Sequence, residues 1–135
     1  MALDIGTKRI GIAISDESRF LATPKLVLNR HGNLKDFAQI KKFGEDNQIV
    51  AIVIGHPIQM DGSRTEMTEF TENFAKNFNT FLEEKIPLFL FEERLTSFEE
   101  RNQDIAGLSR KKVKFIDDIA ASHILQHFID DLGVN

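Results

Sequence analysis

Three acidic positions in this sequence stand where carboxylates are costly or closely grouped. Asp4 interrupts the apolar stretch 1–5, where an unpaired charge needs a cation, a set of hydrogen bonds or a function to offset its burial. Glu92 and Glu93 close a second apolar stretch, 87–91. Neighbouring strand side chains point to opposite faces, so at most one of these two can face a common site, and parity does not say which. Asp117 and Asp118 open the last helical stretch, where an acidic residue commonly serves as a cap or dipole partner. Taken together, three carboxylates with open water positions suit a hard divalent cation, Mg²⁺ or Mn²⁺. Two such ions about 4 Å apart can stabilise both the attacking and the leaving oxygen when a phosphodiester is cut. No serine with a clear base partner competes for the role, and cysteine is absent.

The four histidines add little to this set. His123 and His127 are spaced i, i+4, but no His-Glu-x-x-His pattern supports zinc. His123 falls on an apolar helical stripe and is expected to be a satisfied core residue. His56, at the end of a strand, is expected near the acidic site as a supporting or substrate contact. Basic residues gather at three places: Lys8 and Arg9 beside a glycine turn, Arg94 after the glutamate pair, and the cluster Arg110, Lys111, Lys112 and Lys114. These are candidate phosphate contacts, although isolated charged residues are usually just solvated.

The elements that must position these groups follow from periodicity. Residues 1–5 form a strand. Ile10, Ile12 and Ile14 alternate with small residues in a second strand after the glycine-flanked turn, and 21–28 form a third in which Pro24 implies an irregular or edge position. Leu34, Phe37, Ala38 and Phe43 suit a helix. The β-branched run 49–54 predicts a strand covered on both faces. Ser63 with Glu66 predicts a capping box for a helix with an apolar stripe of Met67, Phe70, Phe74, Phe78, Phe81 and Leu82. A fifth strand spans 87–91, and a short helix capped by Ser97 ends near Gly107. Ile116, Ile119, Ala120, His123, Ile124 and Phe128 line a final helix ending before Gly133. Residues 109–114 then fall between helices, as a mobile loop that settles on substrate.

The order βββαβαβαα gives an α/β fold with a mixed five-stranded sheet and helices on both faces. In strand order 3-2-1-4-5, the reversal point lies between the first and fourth strands, at the carboxyl ends where such sheets bind ligands. Asp4, Gly55 and the glutamate pair approach one another there.

Composition bounds the answer. The 135 residues are the size of one domain, with 41% hydrophobic and 28% charged residues, a globular balance. No stretch approaches the roughly 20 apolar residues of a membrane span, and no signal peptide is visible. The absence of cysteine fits a cytoplasmic protein. The net charge of −4 runs against a broadly basic nucleic-acid binder, so phosphate contacts must come from the local basic clusters.

Four segments occur in register: Asp4-Ile5-Gly6-Thr7-Lys8-Arg9-Ile10-Gly11, Gly55-His56-Pro57-Ile58-Gln59-Met60-Asp61-Gly62-Ser63, Glu92-Glu93-Arg94-Leu95-Thr96-Ser97 and Ile116-Asp117-Asp118-Ile119-Ala120-Ala121. They resemble the YqgF/RuvX family across essentially the whole chain. Members are described as Holliday-junction resolvases and as pre-16S rRNA nucleases with an RNase H-like fold. The resemblance implies Asp4, Glu93 and Asp117 as catalytic metal ligands, selecting Glu93 over Glu92 and Asp117 over Asp118. Glu92 departs from the family's usual Asp, and Met1 begins directly in the first strand.

The expected function is a Mg²⁺- or Mn²⁺-dependent nuclease, with two ions when substrate is bound. Precursor ribosomal RNA is favoured over branched DNA, with ribosome association as a further expectation. A junction resolvase normally needs a dimer with two sites, and no heptad or unassigned apolar helix face offers one, so a monomer is favoured. Two other classes compete. One is an actin- or hexokinase-like ATPase, suggested by the Asp-x-Gly-Thr loop but requiring a second lobe. The other is a non-catalytic RNA- or ribosome-binding module.

Overall fold

The alternating isoleucines and the Phe-rich helical stripe build two opposite faces of one sheet. The computed structural model describes residues 1–16, 18, 21–94 and 110–133, with the backbone alone at 94, 110–118 and 133. Five strands, β1 (Ala2–Ile5), β2 (Arg9–Ser15), β3 (Ala22–Asn29), β4 (Ile52–Ile58) and β5 (Leu88–Arg94), lie in the order β3-β2-β1-β4-β5. The first three form an antiparallel meander, and β4 runs parallel to both β1 and β5. Helix α1 (Asn33–Asp46) follows β3, α2 (Glu66–Phe81) joins β4 to β5, and α3 (Arg110–Gly133) closes the described chain. The short helix expected between Ser97 and Gly107 lies outside the described residues.

Strand parity divides the core. Leu3, Ile5, Ile10, Ile12 and Ile54 pack with Phe37, Phe74 and Phe78 from α1 and α2. Phe37 stacks on Phe78 at 5.0 Å and meets Phe74 edge-on at 5.1 Å. On the other face, Ala2, Ala13 and Val53 pack against Ala121, Ile124 and Leu125 of α3. Small residues on this side of β1 and β2 let α3 lie close to the sheet. The Ala22 N–H donates to Gln126 Oε1 at 3.0 Å, tying α3 to the edge strand as well.

Several local expectations are corrected. The fourth and fifth strands run three or more residues further than the apolar runs suggested, because backbone pairing continues through His56↔Glu92 and Ile58↔Arg94 after the hydrophobic residues end. The cap of α2 is Thr65, not Ser63. Thr65 Oγ1 accepts from the Thr68 N–H, and Thr68 Oγ1 accepts from the Thr65 N–H at 2.9 Å. Ser63 instead donates its N–H to Asp61 Oδ1 in the preceding turn. Helix α3 begins at Arg110, so residues 110–114 are a helical segment, consistent with the good helix propensity of Arg and Lys. Leu34 is 75% exposed, since the inward stripe of α1 is Asp36, Phe37, Ile40 and Gly44. Pro24 does mark an irregularity: β3 is an edge strand, and its register with β2 shifts between Ile12 and Ala13.

Candidate active site

The sheet register decides which acidic side chains share a face. Ala2 packs under α3, so Asp4, two residues on, projects to the same side. Phe91 meets Phe128 of α3 edge-on at 5.7 Å, which places Glu93 on that side too. Glu92 belongs to the opposite face, in step with Leu88, which packs against the α1–α2 core. The pairings Leu3↔Ile54 and Ile54↔Leu90 put Asp4 level with Gly55 and Phe91. Glu93 then lies two residues nearer the carboxyl ends. Only β4 separates β1 from β5, so the two backbones are about 10 Å apart across the sheet.

Gly55 explains how α3 reaches this region. A Cβ at that position would lie 2.5 Å from Ile124 Cδ1 and 3.2 Å from its Cγ1, inside van der Waals contact. The absent side chain lets Ile124 settle over β4 between the two acidic strands. Position 117 of α3 precedes Ala121 by one turn and Ile124 by two, on the stripe whose later members are buried against the sheet. Position 118 falls about 100° round the helix from it. Among the described residues no three acidic or histidine side chains form a metal-holding group; the Asp117 side chain lies outside that description.

Asp4 is partly buried, and Glu93 is 28% exposed. Glu93 Oε1 lies 3.3 Å from His127 Nδ1, so α3 supplies a partner for the β5 carboxylate. His123 stacks beside His127 with ring centroids 6.5 Å apart. His123 is exposed rather than in the core, because the buried stripe runs through Ala121, Ile124 and Leu125.

His56 lies on the other face. Its Nε2 is 2.9 Å from Glu72 Oε2 on α2, and Arg64 holds the same carboxylate through both guanidinium ends. The Arg64 hydrogen bonds and charge, followed by His56, pull the Glu72 carboxyl down to about 2. This network fixes the connection from β4 to α2, away from Asp4 and Glu93. Parity along β4 separates His56 from Val53 and Gly55, and the packing of those two against α3 puts His56 on the other face.

Among the basic candidates, Lys8 is exposed at the turn between β1 and β2, and Arg9 opens β2 partly buried. Arg94 ends β5, and Arg110, Lys111, Lys112 and Lys114 occupy the first turns of α3; their side chains are not described. A basic residue that the sequence reading passed over is Arg30. Its Nε lies 3.1 Å from Asp36 Oδ2, a carboxylate only 1% exposed. Its Nη1 donates to the Gly6 carbonyl at 3.4 Å. The clue was Asp36 itself, a charge on the inward stripe of α1.

A family model described as "RuvX: Holliday junction resolvase" matches residues 1–131. A Syntrophomonas wolfei protein named "Putative pre-16S rRNA nuclease" is 41% identical over 132 residues, covering 96% of this chain and 92% of that protein. A protein of the same name from Cereibacter sphaeroides strain KD131 is 39% identical, covering 96% and 81%. Among solved structures, RuvC of T. thermophilus in complex with a Holliday junction substrate superposes with a TM-score of 0.56 at 11% identity, covering 97% of this chain and 93% of that one. A fowlpox virus resolvase bound to Holliday junction DNA gives 0.50 at 14% identity, covering 97% and 96%. At such identities the structural likeness speaks for the fold.

Proposed function

The chain belongs to the RuvX family, a family of nucleases with the RNase H-like fold, and from that premise we propose a metal-dependent phosphodiesterase that processes precursor 16S ribosomal RNA. The observation that carries the proposal is the placement of Asp4 and Glu93 on one sheet face beneath the helix that bears Asp117. These three carboxylates are the proposed catalytic set and metal ligands. Their donor atoms are all oxygens, as Mg²⁺ and Mn²⁺ require. When bound, the metal supplies positive charge where the attacking and leaving oxygens develop negative charge.

The protein's own part is to hold the donors and the strand being cut. Asp4 is fixed by a strand paired on both sides. Glu93 is steadied by His127, the kind of outer partner that orients a ligating carboxylate. Lys8 and Arg9 beside Asp4, Arg94 beside Glu93, and Arg110, Lys111, Lys112 and Lys114 ahead of Asp117 are the proposed phosphate contacts. Each follows or precedes one of the carboxylates closely in sequence, so neutralisation of the nucleic-acid backbone is confined to the reacting region. That confinement reconciles nucleic-acid binding with the overall charge of −4. The family description supports a second reading, resolution of four-way DNA junctions.

The test is cleavage of precursor 16S RNA with Mn²⁺ by Asp4→Asn, Glu93→Gln and Asp117→Asn, made separately. Each is expected to lose at least about two orders of magnitude in rate with its circular dichroism unchanged. Glu92→Gln, on the opposite face, should stay near wild type. Full cleavage by two of the three variants overturns the assignment.

A further inference from the structure

The loop between β1 and β2 begins two residues after Asp4 and carries Lys8, and its conformation is held from outside. Two of its backbone carbonyls accept from a single residue: Lys8 from the Arg30 N–H at 2.9 Å, and Gly6 from Arg30 Nη1 at 3.4 Å. The loop also closes on itself, with the Gly6 N–H donating to the Arg9 carbonyl at 2.9 Å. A Cβ on Gly6 would lie 2.7 Å from that carbonyl oxygen, so the chain passes itself too closely for any side chain.

Arg30 is itself immobilised. Asp36 takes its Nε, Asn33 Oδ1 takes its Nη2, and Phe70 and Phe74 lie 5.5 and 5.3 Å beneath its guanidinium carbon. The second Asp36 oxygen accepts the His31 N–H at 3.0 Å. A charge pair this enclosed is a poor choice for stability alone, because an apolar pair of similar size often does as well. Its specific result is a rigid arm from α1 and α2 to the loop beside Asp4.

We propose that Arg30 is a positioning residue, which acts by holding the loop after Asp4 so that Lys8 meets a backbone phosphate of the bound strand. This rests on the nuclease reading above, specifically on Lys8 as a phosphate contact. The planar fork of Arg30 spans Asp36, Asn33 and Gly6 at once, a task a lysine ammonium on its flexible stem does not perform.

The experiment measures binding of a short single-stranded RNA to the full chain in EDTA, so that cleavage plays no part. Arg30→Lys, Lys8→Ala and the double variant are titrated across a salt series, with folding followed by circular dichroism. Arg30→Lys should weaken binding about as much as Lys8→Ala, and each should lower the salt slope by about 0.7, the value of one phosphate contact on a single strand. The double variant should bind no more weakly than Lys8→Ala alone, since both changes remove the same contact. Wild-type affinity and slope in Arg30→Lys, or additive losses in the double variant, overturn the positioning role. Unchanged binding by Lys8→Ala shows instead that the contact itself was misassigned, which removes the proposal's premise while leaving the carboxylate set intact. If Arg30→Lys does not fold, Asn33→Ala removes one support of the fork at an exposed position. It should then weaken binding in the same direction by a smaller factor, non-additive with Lys8→Ala, and wild-type binding overturns the proposal.

Discussion

Glu92 and Glu93 are chemically identical neighbours, and the two-residue period of β5 gives them different surroundings. Glu93 stands under α3 within reach of His127, while Glu92 shares the side of Leu88. The same rule separates Gly55 from His56 one strand away. His56 turns to α2 and meets Glu72, whose carboxyl Arg64 first and His56 second hold at about 2, below its ordinary 4.5. A carboxylate with a lowered folded-state pKa adds stability above its unfolded value and loses it as pH falls towards the folded one. Glu72→Gln should therefore melt at a lower temperature than wild type at neutral pH. The two melting curves should converge between about pH 4.5 and pH 2, where wild type loses the ionised partner. Thermal melts across that window measure this. A constant gap down to pH 2 would mean that Glu72 contributes through packing and not through charge.

Helix α3 is the element on which the proposed site depends, and its seat on the sheet is made by absence as much as by contact. Ala2, Ala13 and Gly55 keep the sheet surface low, and Ala121 and Ile124 fill it. Gly55→Val would place methyl groups where Ile124 now sits. It should destabilise the fold by about 1–3 kcal/mol, the usual cost of overpacking. Ile124→Ala alone leaves a cavity at a cost of about 2–5 kcal/mol. Combined, the two changes should cost less than their sum, because the valine occupies the vacated space. Urea unfolding of the three variants reads this directly, and strict additivity would show that the helix does not rest on β4 at this point. Cleavage by Gly55→Val should also fall more than its stability explains, since the helix bearing Asp117 would be displaced.

At the scale of the whole molecule, one site or two separates the two substrate readings. Among the described residues seven large apolar side chains are exposed, Leu21, Leu34, Val50, Met60, Phe89, Leu90 and Leu132, and only Phe89 and Leu90 are neighbours in sequence. Exposed apolar residues scattered singly are normal on a monomer. The longest apolar stripe, on α2, is spent on the core with Phe37. Sedimentation at micromolar concentration should give one species of monomer mass. Under the same conditions precursor 16S RNA should be cut and a four-way DNA junction left intact. A stable dimer that nicks the junction symmetrically and spares the RNA would select the resolvase reading instead. Among the described residues no helix is long and apolar enough to cross a membrane.

The sequence by itself determined the order of the described elements and the sheet order, and it named the carboxylates proposed for the site. These depend on local period and on charges placed in apolar runs, both written in the residues. It could not choose between Glu92 and Glu93 from the residues alone, since strand parity is relative and needs a packed neighbour such as Phe91 against Phe128 to anchor it. It misplaced His56 and His123 for the same reason: which face meets which helix is settled by tertiary packing. The α2 cap moved from Ser63 to Thr65 because Thr68 also donates to the Pro57 carbonyl, a contact eleven residues away that no local motif contains. Arg30 lay hidden because its partners come from the first loop, α1 and the aromatic side of α2 at once. Local chemistry names the groups that can react; only the folded chain decides which of them share a space.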